Sequence, residues 1–208
     1  SDTRVVGRRH SWGWSNNQKV YFVIEFSKPF EKFEAVGDEG FYYRIDFNTT
    51  EGEQIGVKVA LSSTSPQGAE LNFDAELKDK DFDTVRKETL AKWEQELRKI
   101  RIYGASAEQN EIFYTGMYHM YVAPSLFSDV DGTYRGADNE VHPNPGHDTY
   151  TTFSLWDTYR AKLPLMTITH PERMDDVINT MINIYGEQGF LPIWHLWGWD
   201  NGCMVGSP

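Results

Sequence analysis

The feature that most constrains this chain is a change of hydrophobic period near Ser62. Before it, apolar residues recur at every second position, the spacing of a strand with one buried face. Ile55, Val57, Val59 and Leu61 keep that period over Gln54 to Leu61, and Phe41, Tyr43, Ile45 and Phe47 keep it over Phe41 to Phe47. Lys19 to Phe26 has the Tyr, Phe, Val and Ile content of a strand, and Phe30 to Val36 alternates in part. Turns are expected at Gly37-Asp38-Glu39-Gly40 and at Asn48 to Gly52, and Gly7 to Asn17 reads as a polar, aromatic-spotted loop around Trp12-Gly13-Trp14. Four strands with one apolar face need a partner sheet, so residues 1–61 are predicted to be part of an antiparallel β-sandwich.

After Ser62 the apolar positions recur at three and four. Ser62 to Pro66 is a loop with helix-capping chemistry. Asp81 to Ile100 is predicted helical, with Val85, Leu90, Trp93, Leu97 and Ile100 on one stripe, and residues 62–106 read as a helical linker. Ala107 to Tyr121 is a second helix, with Ile112, Phe113, Met117 and Met120 inward and Pro124 beyond its end. A long polar loop from Ser128 to Asp148 follows. A third helix is expected from about Thr152 to about Thr167, ended or kinked at Pro164. The fourth starts at Pro171, places Met174, Val177, Ile178, Met181, Ile182 and Tyr185 inward, and ends at Gly186 or Gly189. Strands first and helices after give an α+β chain.

A net charge of -11, from 31 acidic and 20 basic residues, leaves no basic stripe for phosphates and argues against a nucleic-acid partner. No apolar run reaches membrane-spanning length. One cysteine, Cys203, excludes an internal disulfide and a multi-cysteine metal site, and reads as a buried structural thiol. The chain opens at Ser1 without a Met or a signal peptide and stops without a helix end, so both ends are expected to be cuts in a longer protein.

Chemistry concentrates in three aromatic clusters. Thr151 to Arg160 places Trp156, Asp157, Tyr159 and Arg160 within five residues. Read as a helix, it puts Phe153, Trp156 and Arg160 on one face with Asp157 alongside. A buried, unpaired carboxylate is costly, so Asp157 must reach water, a cation or a ligand. An ion pair with Arg160 and a ligand-binding acid both satisfy that need. Trp194-His195-Leu-Trp197-Gly-Trp199-Asp200 forms the second cluster and Trp12-Gly-Trp14 the third. Indoles stack on the apolar face of a sugar ring, and carboxylates accept two hydrogen bonds from neighbouring hydroxyls. Acids among tryptophans therefore suit a carbohydrate, with an aromatic core at a domain interface as the other account. On the residues alone, His195 is a general acid or a polar member of the aromatic cluster, the second being the simpler. Asp129-Val-Asp131-Gly132 is half a calcium loop, but it lacks the distant bidentate Glu and reads more simply as an Asx turn. His142 and His147 with Asp148 are separated by two prolines and read as a solvated loop rather than a metal site.

Several strings resemble glycoside hydrolase family 92, the calcium-dependent α-mannosidases. They are Gly7-Arg-Arg-His-Ser-Trp-Gly-Trp-Ser, Val20-Tyr-Phe, Glu25-Phe-Ser-Lys-Pro-Phe30, Asp81-Phe-Asp, the Trp93 helix and Phe113-Tyr-Thr. Pro124 to Gly136, Tyr150 to Arg160, Gly189-Phe-Leu-Pro-Ile-Trp194 and Cys203-Met-Val-Gly206 continue the likeness in order. The resemblance implies an N-terminal β-sandwich, a helical linker and an (α/α)6-barrel catalytic domain. It assigns residues 1–61 to part of the sandwich, 62–106 to the linker and 107–208 to an incomplete start of the barrel. It implies removal of terminal α-linked mannose, α-1,2 foremost, from glycans with inversion, and calcium as cofactor. It also implies secretion or a periplasmic place, and a mannose-containing glycan as partner. No residue matches the family's acid, base or calcium-ligand motifs, so no catalytic or metal residue is assigned and this portion alone is expected to be inactive. Trp156, Asp157, Trp194 and His195 are the residues the resemblance points to for sugar binding. The alternative is a non-catalytic carbohydrate-binding or interaction module.

Overall fold

The computed structural model describes residues 2–37 and 42–204. Asp38, Glu39 and Gly40 of the expected turn, Phe41, and Val205 to Pro208 lie outside the described residues.

Five strands open the chain: β1 (Arg4–Ser11), β2 (Gln18–Phe26), β3 (Lys32–Val36), β4 (Tyr42–Asp46) and β5 (Val57–Ser62). β1, β2 and β5 form one antiparallel sheet in that order, and β3 and β4 form a separate ribbon. β1 replaces the first half of the loop expected from Gly7 to Asn17. Its Arg8, Arg9 and His10 mask the pattern, because this edge strand keeps polar side chains toward solvent. β5 begins at Val57, so Gln54 and Ile55 precede it.

The helix α1 (Pro66–Glu76) covers one face of this sheet. Ser65 caps it by accepting the Gly68 N–H at 3.0 Å, and Pro66 supplies the first helical φ. Val23, Ala60, Ala69 and Phe73 form the core between them. β5 therefore turns its small residues, Ala60 and Ser62, to the helix. Its predicted apolar stripe of Val57, Val59 and Leu61 lies on the opposite, exposed face.

Helices α2 (Phe82–Leu97) and α3 (Ala107–Tyr121) follow. Asp81 caps α2 by accepting the Thr84 N–H at 2.7 Å, and Ser106 with Gln109 forms a capping box on α3. Met117 is buried as expected, whereas Ile112 is exposed. The long polar loop is ordered by short antiparallel pairs, β6 (Ser125–Leu126) with β9 (Tyr150–Thr151) and β7 (Tyr134–Arg135) with β8 (Val141–His142).

The expected third helix is two: α4 (Leu155–Thr158) and α5 (Lys162–Thr169). Pro164 does not kink a continuous helix. It sits in the first turn of α5, where its missing N–H has no partner to lose. The last helix is α6 (Pro171–Gln188), closed by Gly189 at φ 88°. Met174, Val177, Thr180 and Ile184 are its buried stripe, and Ile178, Ile182 and Tyr185, expected inward, are exposed. A second core gathers Ala137, Tyr150, Phe153, Met166, Met174, Val177 and Ile184 around α5 and α6.

Two buried side chains fasten the helical half to the end of β5. The Asp129 carboxylate accepts the Ser62 hydroxyl at 2.7 Å, the Thr64 hydroxyl at 2.5 Å and the Asn72 amide at 2.8 Å. Arg135 donates to the carbonyls of Ser63, Thr64 and Asn139 at 2.7, 3.1 and 2.7 Å. Burial pulls this guanidinium below its ordinary pKa, and three aligned carbonyls satisfy the donors that no carboxylate meets.

Candidate functional site

The candidate site is built where β9 and the loop after α6 come together. Thr151 is the joint. Its hydroxyl oxygen accepts the Trp197 N–H at 2.8 Å and lies 3.3 Å from His195 Nδ1. Two residues on, the Phe153 N–H donates to the His195 carbonyl at 3.0 Å. These bonds fix the segment leading into Trp156 and Asp157 against the segment carrying Trp194 and His195.

The terminal loop holds its own shape through Asp200. That carboxylate accepts the N–H groups of Ile193, Trp194 and Gly202 at 2.7, 3.2 and 2.9 Å. Its oxygens are spent on backbone, so Asp200 orients Trp194 instead of standing free as an acid or base. Gly198, at φ 74°, lets the loop close onto Arg135. A Cβ there would lie 3.0 Å from the Gly136 carbonyl and 3.1 Å from Arg135 Cγ. Thr152 and Trp197 hold positive φ, 68° and 53°. A β-branched and a bulky residue in that region cost on the order of 1–3 kcal/mol each, the kind of local strain that clusters at functional sites.

Asp157 is exposed on α4, and its side chain accepts the Ser154 hydroxyl. The alternative ion pair does not form, since Arg160 turns to Tyr159, donating to its hydroxyl at 3.2 Å. Phe153 lies before α4, not on one helical face with Trp156 and Arg160, and packs in the second core. Trp156 is half-buried, and its indole Nε1 has no acceptor among the described residues. Trp194 meets Trp14 edge to face at 5.2 Å, so the hairpin between β1 and β2 reaches the site. Trp12 and Trp14 remain 67% and 63% exposed there. His195 is 2% exposed, and burial pushes its imidazole down to about 4 against the weak opposing pull of Asp200. It is neutral over the physiological range and sits beneath the surface of the site.

The other sequence candidates fall elsewhere. Asp131 accepts the Thr133 N–H and hydroxyl, at 2.9 and 2.7 Å, as an Asx turn. His142 is held by Asp138 at 3.0 Å, and His147 lies beside Asp148 and Asn183. Cys203 is half-buried instead of buried. Among the described residues no group of three or more His, Cys, Asp or Glu side chains is arranged to hold a metal ion.

Thr151 and Asp200 carry the geometry, and sequence reasoning did not single them out as site residues. Their work is done on backbone groups of other segments, which leaves no trace in spacing. Asp200 had one visible signal, its place at the end of a tryptophan cluster.

The model of the glycosyl hydrolase family 92 catalytic domain matches residues 68–208. The chain belongs to glycosyl hydrolase family 92. Solved structures agree. A family 92 α-mannosidase from Bacteroides thetaiotaomicron superposes with a TM-score of 0.92 at 34% identity over 99% of this chain. Its complex with mannoimidazole gives 0.91 at 33%. A second family 92 protein of that organism, an inverting mannosidase, gives 0.86 at 28% over 99% of the chain. The chain covers 30% of each of those structures. No curated protein matches it. No helix among the described residues is long and apolar enough to cross a membrane.

Proposed function

We propose that this chain is the N-terminal part of an exo-acting α-mannosidase that removes terminal α-linked mannose, α-1,2 foremost, from glycans with inversion. The observation that carries this reading is the likeness over 99% of the chain to family 92 structures, one of them bound to mannoimidazole. In this reading Trp156, Asp157 and Trp194 bind the terminal sugar. Asp157 accepts hydrogen bonds from two hydroxyls, and Trp156 and Trp194 supply apolar faces for the ring. His195 supports that wall from beneath.

The fold is read as part of a β-sandwich, a linker and the first helices of an (α/α)6 barrel. Two uncovered apolar surfaces support this: the Val57, Val59 and Leu61 face suits a second sheet, and Ile178, Ile182 and Tyr185 suit neighbouring helices. The acid and base that inversion requires are proposed to lie outside this chain, which alone is inactive. Calcium is proposed as cofactor of the whole enzyme. The residues described here do not fit it, so no step is derived through the ion. Export to the periplasm or cell exterior follows the use of glycans as substrate.

The test is a whole enzyme carrying this chain. Product analysis by NMR on an α-mannobioside gives β-mannose first if the reaction inverts. Asp157→Ala lowers kcat/KM by roughly 10–100-fold, the equivalent of about 1.5–3 kcal/mol of charge-assisted hydrogen bonding. A change within about threefold would remove Asp157 from the sugar site.

A further inference from the structure

Behind the candidate site lies a small chamber walled by Tyr134, Arg135, Thr149, Asn183, Glu187 and His195, among others. It offers about 10 Å3 to the centre of a water-sized sphere, room for one water and no larger ligand. Its lining is almost wholly buried, with Thr149 at 3% and His195 at 2% exposure. Each carries a buried polar atom without a partner among the described residues, Thr149 Oγ1 and His195 Nε2. Orphaned buried polar atoms are rare, because each forfeits its hydrogen bonds to water on folding. Two of them on one water-sized chamber make a shared explanation more economical than two separate defects.

The other side of the His195 ring bears on where its proton sits. Thr151 Oγ1 receives the Trp197 N–H and keeps its own hydroxyl proton to give, and the arrangement that uses that proton directs it to His195 Nδ1, 3.3 Å away. Nδ1 then accepts, and Nε2 of the neutral ring carries the hydrogen. That N–H is buried and needs an oxygen.

We propose that the chamber is a binding site for a single structural water that accepts the His195 Nε2–H and donates to Thr149 Oγ1. The polar groups of Tyr134, Asn183 and Glu187 in the same wall suit its remaining bonds. The water joins the loop before β9 to the loop bearing Trp194, in parallel with the direct Thr151 contacts. His195 is thereby a positioning residue, tied on one nitrogen to Thr151 and on the other to the water. This inference stands on burial and hydrogen-bond supply alone and is independent of the mannosidase reading.

The test is histidine 15N NMR on the whole enzyme that carries this chain, with the His195 signals assigned by substitution. The expected result is the Nε2–H tautomer for His195, with a cross-relaxation peak from that proton to a long-lived water. Thr149→Val, which keeps the shape but removes the hydroxyl, abolishes the water peak, and Thr149→Ser restores it. An Nδ1–H tautomer in the unaltered chain overturns the proposal, as does a water peak that persists in Thr149→Val. If Thr149→Val fails to fold, the tautomer and water peak of the unaltered chain still decide the matter. A crystal structure pairing Thr149 Oγ1 with a protein atom, and showing no density between it and His195, overturns it as well.

Discussion

The Asp129 carboxylate receives the Ser62 hydroxyl at 2.7 Å, across 67 residues of chain. With Thr64 and Asn72 donating to the same carboxylate, one buried acid joins the last strand of the sheet, the first helix and the loop before the candidate site. A segment that must hold Thr151 and Trp197 in register is in this way referenced to the β-sheet.

Removing that acid is expected to be costly. Asp129→Ala leaves two buried hydroxyls and the half-buried Asn72 amide without that acceptor, and should lower stability by roughly 3 kcal/mol in urea unfolding. Asn72→Ala removes one donor to Asp129, together with its more exposed bonds to the Val130 N–H and the Leu61 carbonyl, and should cost less because the two buried hydroxyls keep their acceptor.

Asp129 also shows where the sequence was legible and where it was not. The change of period at Ser62 and the Asp81 start of α2 are local signals, and the elements they announce form. β1 was hidden because Arg8, Arg9 and His10 lie on a sheet edge, where polarity does not oppose a strand. α1 was hidden because its buried residues are Gly68, Ala69 and Phe73, too few and too small for a periodic stripe. Helix α6 was legible, but its inward face was overfilled, since the pattern marks every apolar residue and not the side that finds a partner here. At the site, the tryptophans and Asp157 were visible by composition. The contacts of Thr151, Asp129 and Asp200 were not, because a hydrogen bond over tens of residues has no period.

His195 makes stability depend on pH. Its folded pKa of about 4 lies below the ordinary 6.5. From about one unit above pH 6.5 neither state binds the proton and the group contributes no pH dependence. Between 6.5 and 4 the unfolded chain takes the proton and the folded one does not, so stability falls as pH falls. The loss amounts to about 3 kcal/mol once pH is below 4. His195→Gln removes this dependence. Subtracting its stability curve from that of the unaltered chain cancels the carboxylates, and the difference should be flat from about one unit above pH 6.5 upward and change steadily from 6.5 down to 4.

The hairpin between β1 and β2 is expected to be coupled to the site through Trp14 and Trp194. Their rings meet edge to face with centroids 5.2 Å apart. A double-mutant cycle on Trp14→Ala and Trp194→Ala, read by chemical unfolding, should give a coupling of about 0.5–1.5 kcal/mol. Additive single effects would mean that the two rings are neighbours without interaction.

Two helical glycines should respond to alanine with opposite signs. Propensity alone favours Ala over Gly within a helix by about 0.8–1 kcal/mol. Gly116 in α3 has nothing within 4 Å of where a Cβ would stand, so Gly116→Ala should raise stability by most of that amount. At Gly68 in α1 the same atom would lie 2.3 Å from Asp129 Oδ2 and 2.7 Å from both Ser62 Oγ and Thr64 Oγ1. Those atoms are the buried junction itself and have little freedom to retreat, because each is hydrogen-bonded to the others. Gly68→Ala must push the acid out of its cradle or shift α1 off the sheet, and the loss of two or more buried hydrogen bonds outweighs the propensity gain. A net destabilisation of roughly 2 kcal/mol is expected. Adding Asp129→Ala to Gly68→Ala should cost much less than Asp129→Ala does alone, since the first substitution has already broken the junction. Urea midpoints of the three variants check this. Equal and positive effects at both glycines would mean that helix propensity, and not the Asp129 junction, governs α1.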